Sequence, residues 1–238
     1  MSHNRLHDEE LDQIIENAKE FFLDEIVPSH QRNILKLTDI REFNLNPFLD
    51  KYKANLLTGS EDAESIARAL VYPRVLGTSI NTIFGSKLQK FCSEILEGFA
   101  STTSGIDIEF IDKIDGRRKY CQIKAGPNTI NKDDVQTIIG HLNGVRNLAR
   151  TNGLRLSFDD LIVGVLYGSK DELSNHYRVI DRDYPVIIGR EFWHRLTGVE
   201  DFYEQITDAI AEVAAEVDGS EMIEDVIAEL AEEIRERI

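Results

Sequence analysis

The feature that most constrains the fold lies between Gly105 and Ala125, where apolar residues change from a helical spacing to a repeat of two. GIDIEFID alternates apolar and polar side chains, Asp115-Gly116 supplies a tight-turn dipeptide, and RRKYCQIKA alternates on the far side. Those signals predict a β-hairpin with Asp115 and Gly116 as its two loop residues. In that register Asp107 faces Lys124 and Glu109 faces Gln122 on one face, while Ile106, Ile108 and Phe110 face Ala125, Ile123 and Cys121 on the other.

Helical periodicity surrounds the hairpin. Leu11, Ile14, Ile15, Ala18, Phe21, Phe22 and Ile26 predict a helix ending near Pro28. Residues 31–59 are less periodic, with a turn at Asn44, Asn46 and Pro47; Ser60 is read as the cap of a helix over 61–72 that Pro73 stops. A helix over 79–98 places Ile80, Ile83, Phe84, Leu88, Phe91 and Ile95 on one stripe. After the hairpin come a helix over 132–151, a buried strand over 161–168 (LIVGVLYG), a shorter strand over 185–189 and two acidic helices divided at Asp218-Gly219-Ser220. The expected class is α/β (α+β): a central mixed sheet flanked by helices, with helical N- and C-terminal extensions. The expected divisions are a helical region 1–75, a core 76–190 and an acidic helical region 191–238, packed as one unit.

Charge needs care. The formal net charge is −16, which argues against a nucleic-acid partner. Residues 200–238, however, hold fourteen acidic side chains and two basic ones, and residues 113–155 hold nine Lys and Arg against three Asp. The acidic excess is mainly a tail property, and its apolar stripes mark those acids as solvated faces of packed helices. The stripe Ile223, Val226, Ile227, Leu230 and Ile234 approaches heptad spacing and suits a dimer axis. Two cysteines, Cys92 and Cys121, fit a reducing cytoplasm, and the N-terminus lacks the order of a signal peptide. No apolar run approaches the length of a membrane span.

One hairpin face thus collects Asp107, Glu109, Gln122 and Lys124. A solvated outer face is the plain alternative. Oxygen ligands on a rigid strand pair can also hold Mg²⁺, and a lysine beside them can hold water and neutralise charge in phosphodiester hydrolysis. Zinc-ligand spacings, phosphate-binding glycine loops and nucleophile elbows are absent from the sequence.

Asp107 followed after fourteen residues by Gln122-Ile123-Lys124 resembles the Asp and (Asp/Glu)-x-Lys of the PD-(D/E)XK nuclease superfamily. GIDIEFID with QIKAGPNTINKDDV is similar to type II restriction endonucleases, in particular the PmeII-like group. The motif resemblance covers about residues 78–168. It implies a restriction-endonuclease-like core and Mg²⁺-dependent, sequence-specific cleavage of double-stranded DNA, with Mn²⁺ as a substitute and 5′-phosphate ends. It also implies a cytoplasmic homodimer paired with a DNA methyltransferase. Asp107, Gln122 and the Ile123 carbonyl are then the metal ligands and Lys124 the catalytic lysine. Two departures stand out: Ile106 where the pattern has Pro, and neutral Gln122 where it has an acid. Glu109, opposite Gln122 in the expected register, would restore the charge; Glu94, with Glu97 as fallback, matches an outer acid on the preceding helix.

For DNA contact the candidates are Arg117 and Arg118 at the hairpin tip, Asn128, Asn131 and Lys132 after the strand, and His141, Asn143, Arg146 and Arg150 on the next helix. Arg155, and His176, Arg178 and Arg182 in the following loop, are further candidates. Trp193 reads as a core anchor. Two other functions remain open: a repair or branched-DNA nuclease of the same fold, and a DNA-binding module without catalysis.

Overall fold

The computed structural model describes residues 5–96 and 99–237, without the side chains of residues 88, 89, 92 and 93, which include Leu88 and Cys92. Its contacts form two units that interleave along the chain, where the sequence suggested three successive segments packed as one. The segment ending at Phe21 joins Gly85–Glu212, and Phe22–Phe84 joins the segment from Val213 onward.

The first unit carries the sheet. Helix α1 (Asp8–Phe21) and helix α5 (Ile80–Ile95) precede β1 (Ile108–Ile111) and β2 (Arg118–Lys124); α6 (Lys132–Thr151), β3 (Leu161–Val165), α7 (Asn175–Ile180), β4 (Val186–Ile188), α8 (Arg190–Thr197) and α9 (Phe202–Ala214) follow. The sheet order is β1-β2-β3-β4, antiparallel between β1 and β2 and parallel thereafter. This is the mixed sheet flanked by helices of a restriction-endonuclease-like α/β fold.

Strand parity divides the sheet into two faces. Tyr120, Gln122 and Lys124 stand beside Leu161, Val163 and Val165, on the face where α6 buries Val135, Ile138, Leu142 and Val145. On the opposite face Cys121 and Gly164 meet Phe192 of α8. A Cβ on Gly164 would lie 2.6 Å from the Phe192 ring and 2.9 Å from Cys121 Sγ, so only glycine admits that helix. Trp193 is buried beside it and donates through Nε1 to the Leu166 carbonyl at 3.0 Å.

The hairpin register differs from the expected one by two residues. Ile108 pairs with Cys121 and Phe110 with Lys119, and the loop comprises Lys113 to Gly116, closed by Asp112 N–H donating to the Arg117 carbonyl at 2.9 Å. Asp112 causes the longer loop: its Oδ1 accepts from Ile114 N–H at 2.8 Å and Asp115 N–H at 3.4 Å. Gly116 closes the turn at φ +70°. A slip of two preserves parity, so the residues on each face stay the same while their partners change.

Asp112, fully buried, also receives Arg195 of α8 at 2.8 Å. Lys119, 1% exposed on the core face, pairs with Asp115 at 2.5 Å and approaches Asp112 and Asp160 at 3.9 and 3.8 Å.

The second unit is helical: α2 (Val27–Leu35), α3 (Asp50–Thr58), α4 (Ala63–Pro73) and α10 (Ser220–Arg237). The chain does not stop at Pro28 or Pro73. Pro28 sits in the first turn of α2, where its missing N–H costs nothing, and π-helical turns at Phe22–Ile26 and Arg74–Ser79 carry the helices onward. Asp62, not Ser60, caps α4 by accepting from Ser65 N–H at 2.8 Å. Helix α3 was not expected. Val226, Ile227, Leu230 and Ile234 of α10 are buried in a core shared with Ile66, Ala67 and Val71 of α4. The stripe read as suiting a dimer axis is therefore covered within the chain.

Removing one member of a buried ionic cluster leaves its partners charged and unpaired, at a cost of about 3–5 kcal/mol. Asp112→Ala should lose stability of about that size in urea unfolding, whereas Asp171→Ala, an exposed change, should lose less than about 0.5 kcal/mol.

Candidate active site

The site lies where β1 has ended and β2 continues. Asp107 N–H donates to the Cys121 carbonyl at 3.0 Å, so contact with β2 carries past β1 and holds Asp107 beside Cys121 to Ile123 rather than opposite Lys124. Its Oδ2 accepts from Ile123 N–H at 2.6 Å, which pins the carboxylate over β2. An N–H and a C=O of one strand residue point to the same side, so the Ile123 carbonyl faces this edge too. Loss of solvent around the Asp107 carboxyl pushes its pKa above the ordinary value, against the Ile123 N–H and the charge of Lys124. The residue as a whole remains exposed, so the strain is one of hydration at the carboxyl, not of deep burial.

Gln122 is buried, at 7% exposure, and its Nε2 lies 2.9 Å from His141 Nδ1 of α6. Its Oε1 is buried with no hydrogen-bond partner among the described residues. Lys124 is half-buried, and its ammonium has no hydrogen bond or ion pair among the described residues. One carboxylate under electrostatic tension, one orphaned amide oxygen and one unpaired ammonium thus share a single edge. An oxygen without a partner and a carboxylate short of water are what a hard, oxygen-seeking cation satisfies. Among the described residues no group of three or more His, Cys, Asp and Glu could hold a metal.

Glu109 takes no part in that edge. It faces Tyr120, accepts from the Ser101 and Thr103 hydroxyls at 2.6 and 2.9 Å and pairs with Arg118 at 3.1 Å. Desolvation pushes its carboxyl up, but these three donors outweigh it and hold the pKa below the usual range. The charge compensation expected from the two-residue turn is therefore absent. The Glu94 carboxylate pairs with Lys90 at 3.3 Å and meets none of Asp107, Gln122 and Lys124 among the described residues. Glu97 lies outside the described residues.

Several residues read as DNA contacts have internal work. Arg117 pairs with Asp115 at 3.1 Å, with Asp160 at 3.2 Å and with Asp159; Arg118 is held by Glu109. Asn131 caps α6 in a reciprocal box with Asp134. Asn143 accepts from Tyr184 OH at 2.7 Å, and the Arg146 guanidinium stacks over the Tyr184 ring. His141 meets Gln122. Asn128, Lys132, Arg150 and Arg155 are exposed, while His176 and Arg178 lie on the short α7 instead of a loop. Nothing in helical spacing alone marks His141 or the buried Lys119 as special; a lysine at core parity near three aspartates is the one signal that pointed to the latter.

A family model described as Type II restriction endonuclease EcoO109I matches residues 9–218, the greater part of the chain and the whole of the sheet and site. The sequence resemblance had pointed to the PmeII-like group. No curated protein matches the chain. Among the described residues no helix is long and apolar enough to cross a membrane. The mixed sheet is consistent with this match, which covers most of the chain: the chain belongs to the EcoO109I family of type II restriction endonucleases.

Proposed function

We propose that the chain is a Mg²⁺-dependent endonuclease of the PD-(D/E)XK type, cutting double-stranded DNA at specific sites to leave 5′-phosphate and 3′-hydroxyl ends. The observation that carries this reading is the partnerless Oε1 of Gln122, on the strand pair that holds Asp107 and two residues before an unpaired lysine. Asp107, Gln122 Oε1 and the Ile123 carbonyl would hold the cation. When bound, Mg²⁺ supplies charge for the scissile phosphate and a more acidic water, and Mn²⁺ shares its preference for oxygen.

The side chains divide the remaining work. Asp107, pinned by Ile123 N–H, keeps its carboxylate in place before any ligand arrives, so little ordering remains to be done on binding. Lys124 holds the attacking water and offsets charge that grows on the phosphate oxygens, interactions stronger in the transition state than in the ground state. The helix α6 N-terminus and exposed Asn128 and Lys132 lie after the catalytic strand, suited to the DNA backbone. Cutting both strands of a palindrome calls for a homodimer, and a restriction enzyme is paired with a methyltransferase that protects host DNA.

One observation favours a second reading. With Glu109 and Glu94 engaged elsewhere, the edge offers a single carboxylate, which suits a DNA-binding module without catalysis. Incubation of plasmid DNA with Mg²⁺ or Mn²⁺ separates the two: discrete bands support the nuclease, and site-specific binding with no cutting under either metal supports the module.

Lys124→Ala should lower cleavage at least about a hundredfold while DNA binding persists; unchanged turnover overturns the role of the lysine. Glu109→Gln should leave the metal dependence of cleavage as it is. A carboxyl whose pKa is raised by folding holds its proton more tightly in the folded chain. Its charged form therefore weakens the fold above the raised value, and that penalty fades as pH falls below the ordinary carboxylate range. Asp107→Asn should accordingly abolish cleavage yet raise the melting temperature at pH 7, with the gain disappearing near pH 3. Light scattering should find a dimer on DNA; a monomer there favours a nicking or branched-DNA enzyme.

A further inference from the structure

An amide and a carboxylate differ as ligands in a way that bears on Gln122. A carboxylate offers an oxygen whichever way it turns. An amide offers an oxygen at one end and an N–H₂ group at the other, and the donor end repels a cation. A glutamine at this position is therefore useful only when something decides which end faces the site.

His141 meets that need. Its Nδ1 lies 2.9 Å from Gln122 Nε2. With the ring proton on Nε2, Nδ1 is an acceptor and takes an amide N–H, which leaves Oε1 as the buried atom without a partner. His141 is exposed to solvent, but one side of its ring rests on the main chain. Gly105, at φ +80°, lies so close that a Cβ there would stand 2.8 Å from His141 Cγ, 2.9 Å from its Cβ and 3.2 Å from Nδ1. The bare glycine lets the ring settle against the loop leading to β1, and α6 fixes the residue from the other side. Gly105, His141 and Gln122 thus form a chain of contacts from loop to helix to strand.

We propose that His141 is the positioning residue that allows glutamine to serve as a metal ligand in this enzyme, by taking the amide N–H and leaving Oε1 for the cation. This rests on the reading of Gln122 as a ligand given above. It also gives His141 a different task from the base or backbone contact suggested by its place on α6.

The test uses the full chain without DNA and reads Mn²⁺ binding by electron paramagnetic resonance, with circular dichroism to confirm folding. His141→Leu removes the acceptor and should lower Mn²⁺ affinity about tenfold or more, the usual effect of losing a group that orients a ligand. His141→Asn returns an acceptor near the position of Nδ1 and should bind close to wild type. Gln122→Glu makes the ligand symmetric, so the double variant Gln122→Glu/His141→Leu should bind as well as Gln122→Glu alone. A packing role for His141 predicts the opposite: equal losses in the glutamine and glutamate backgrounds, with no recovery in His141→Asn. Unchanged affinity in His141→Leu, or equal losses in both backgrounds, overturns the role of His141 while leaving the metal site standing. If His141→Leu does not fold, His141→Ala, a milder change at this exposed helix position, carries the same comparison in the glutamine and glutamate backgrounds. A wild-type chain that binds no Mn²⁺ and cuts no DNA with it overturns the inference together with the metal site.

Discussion

Asp112 governs the geometry on which the rest depends. Its buried carboxylate gathers two N–H groups of the hairpin loop and the guanidinium of Arg195, with the Lys119 ammonium nearby. Those contacts set the loop length, the loop length sets the register, and the register pairs Ile108 with Cys121 and brings Asp107 to the Ile123 N–H. Arg195 and the hydrogen bond from Lys113 N–H to its carbonyl also tie the hairpin tip to α8. A residue far along the hairpin from the site thereby determines which side chains meet there.

The two ends of the hairpin treat charge in opposite ways. At the tip, burial is offset by pairing: Lys119 and Arg117 are surrounded by Asp115, Asp159 and Asp160, so ionic groups in low dielectric find opposite partners. At the open end Gln122 Oε1 has no hydrogen-bond partner, Lys124 forms no close ion pair among the described residues, and the Asp107 carboxyl is held at a raised pKa by loss of solvent. Unsatisfied polar groups are costly, and they persist where a ligand completes them.

Much of this was legible in the sequence, for definite reasons. A period of two identifies strands strongly, so Asp107, Glu109, Gln122 and Lys124 fall on one face under either register; an error of two residues leaves parity intact. Helix α6 spans Lys132–Thr151, the bounds read from the apolar spacing that begins at Val135. The Asp112 turn was hidden because Asp115-Gly116 is the stronger local signal, and only the side chain of Asp112 decides for the longer loop. The prolines misled in the same manner: Pro28 and Pro73 look like stops, but a first-turn position and π-helical turns accommodate them. The buried face of α10 was visible, yet its partner α4 lies more than 140 residues earlier, and periodicity says nothing about partners.

The basic excess of residues 113–155 illustrates the remaining limit of charge counting. Arg117, Arg118 and Lys119 are neutralised by nearby acids, and Arg146 stacks on Tyr184. Lys132, Arg150 and Arg155 remain exposed, and Lys124 is half-buried. A cluster of positive charge in sequence has become, in the fold, a stabilised hairpin with a few free cations around it. On the reading proposed above, recognition of DNA by such a surface would depend less on accumulated charge than on placed donors such as the N-terminus of α6 and exposed Asn128. That agrees with the net charge of −16, which disfavours indiscriminate binding to a polyanion and favours attachment only where those donors are matched.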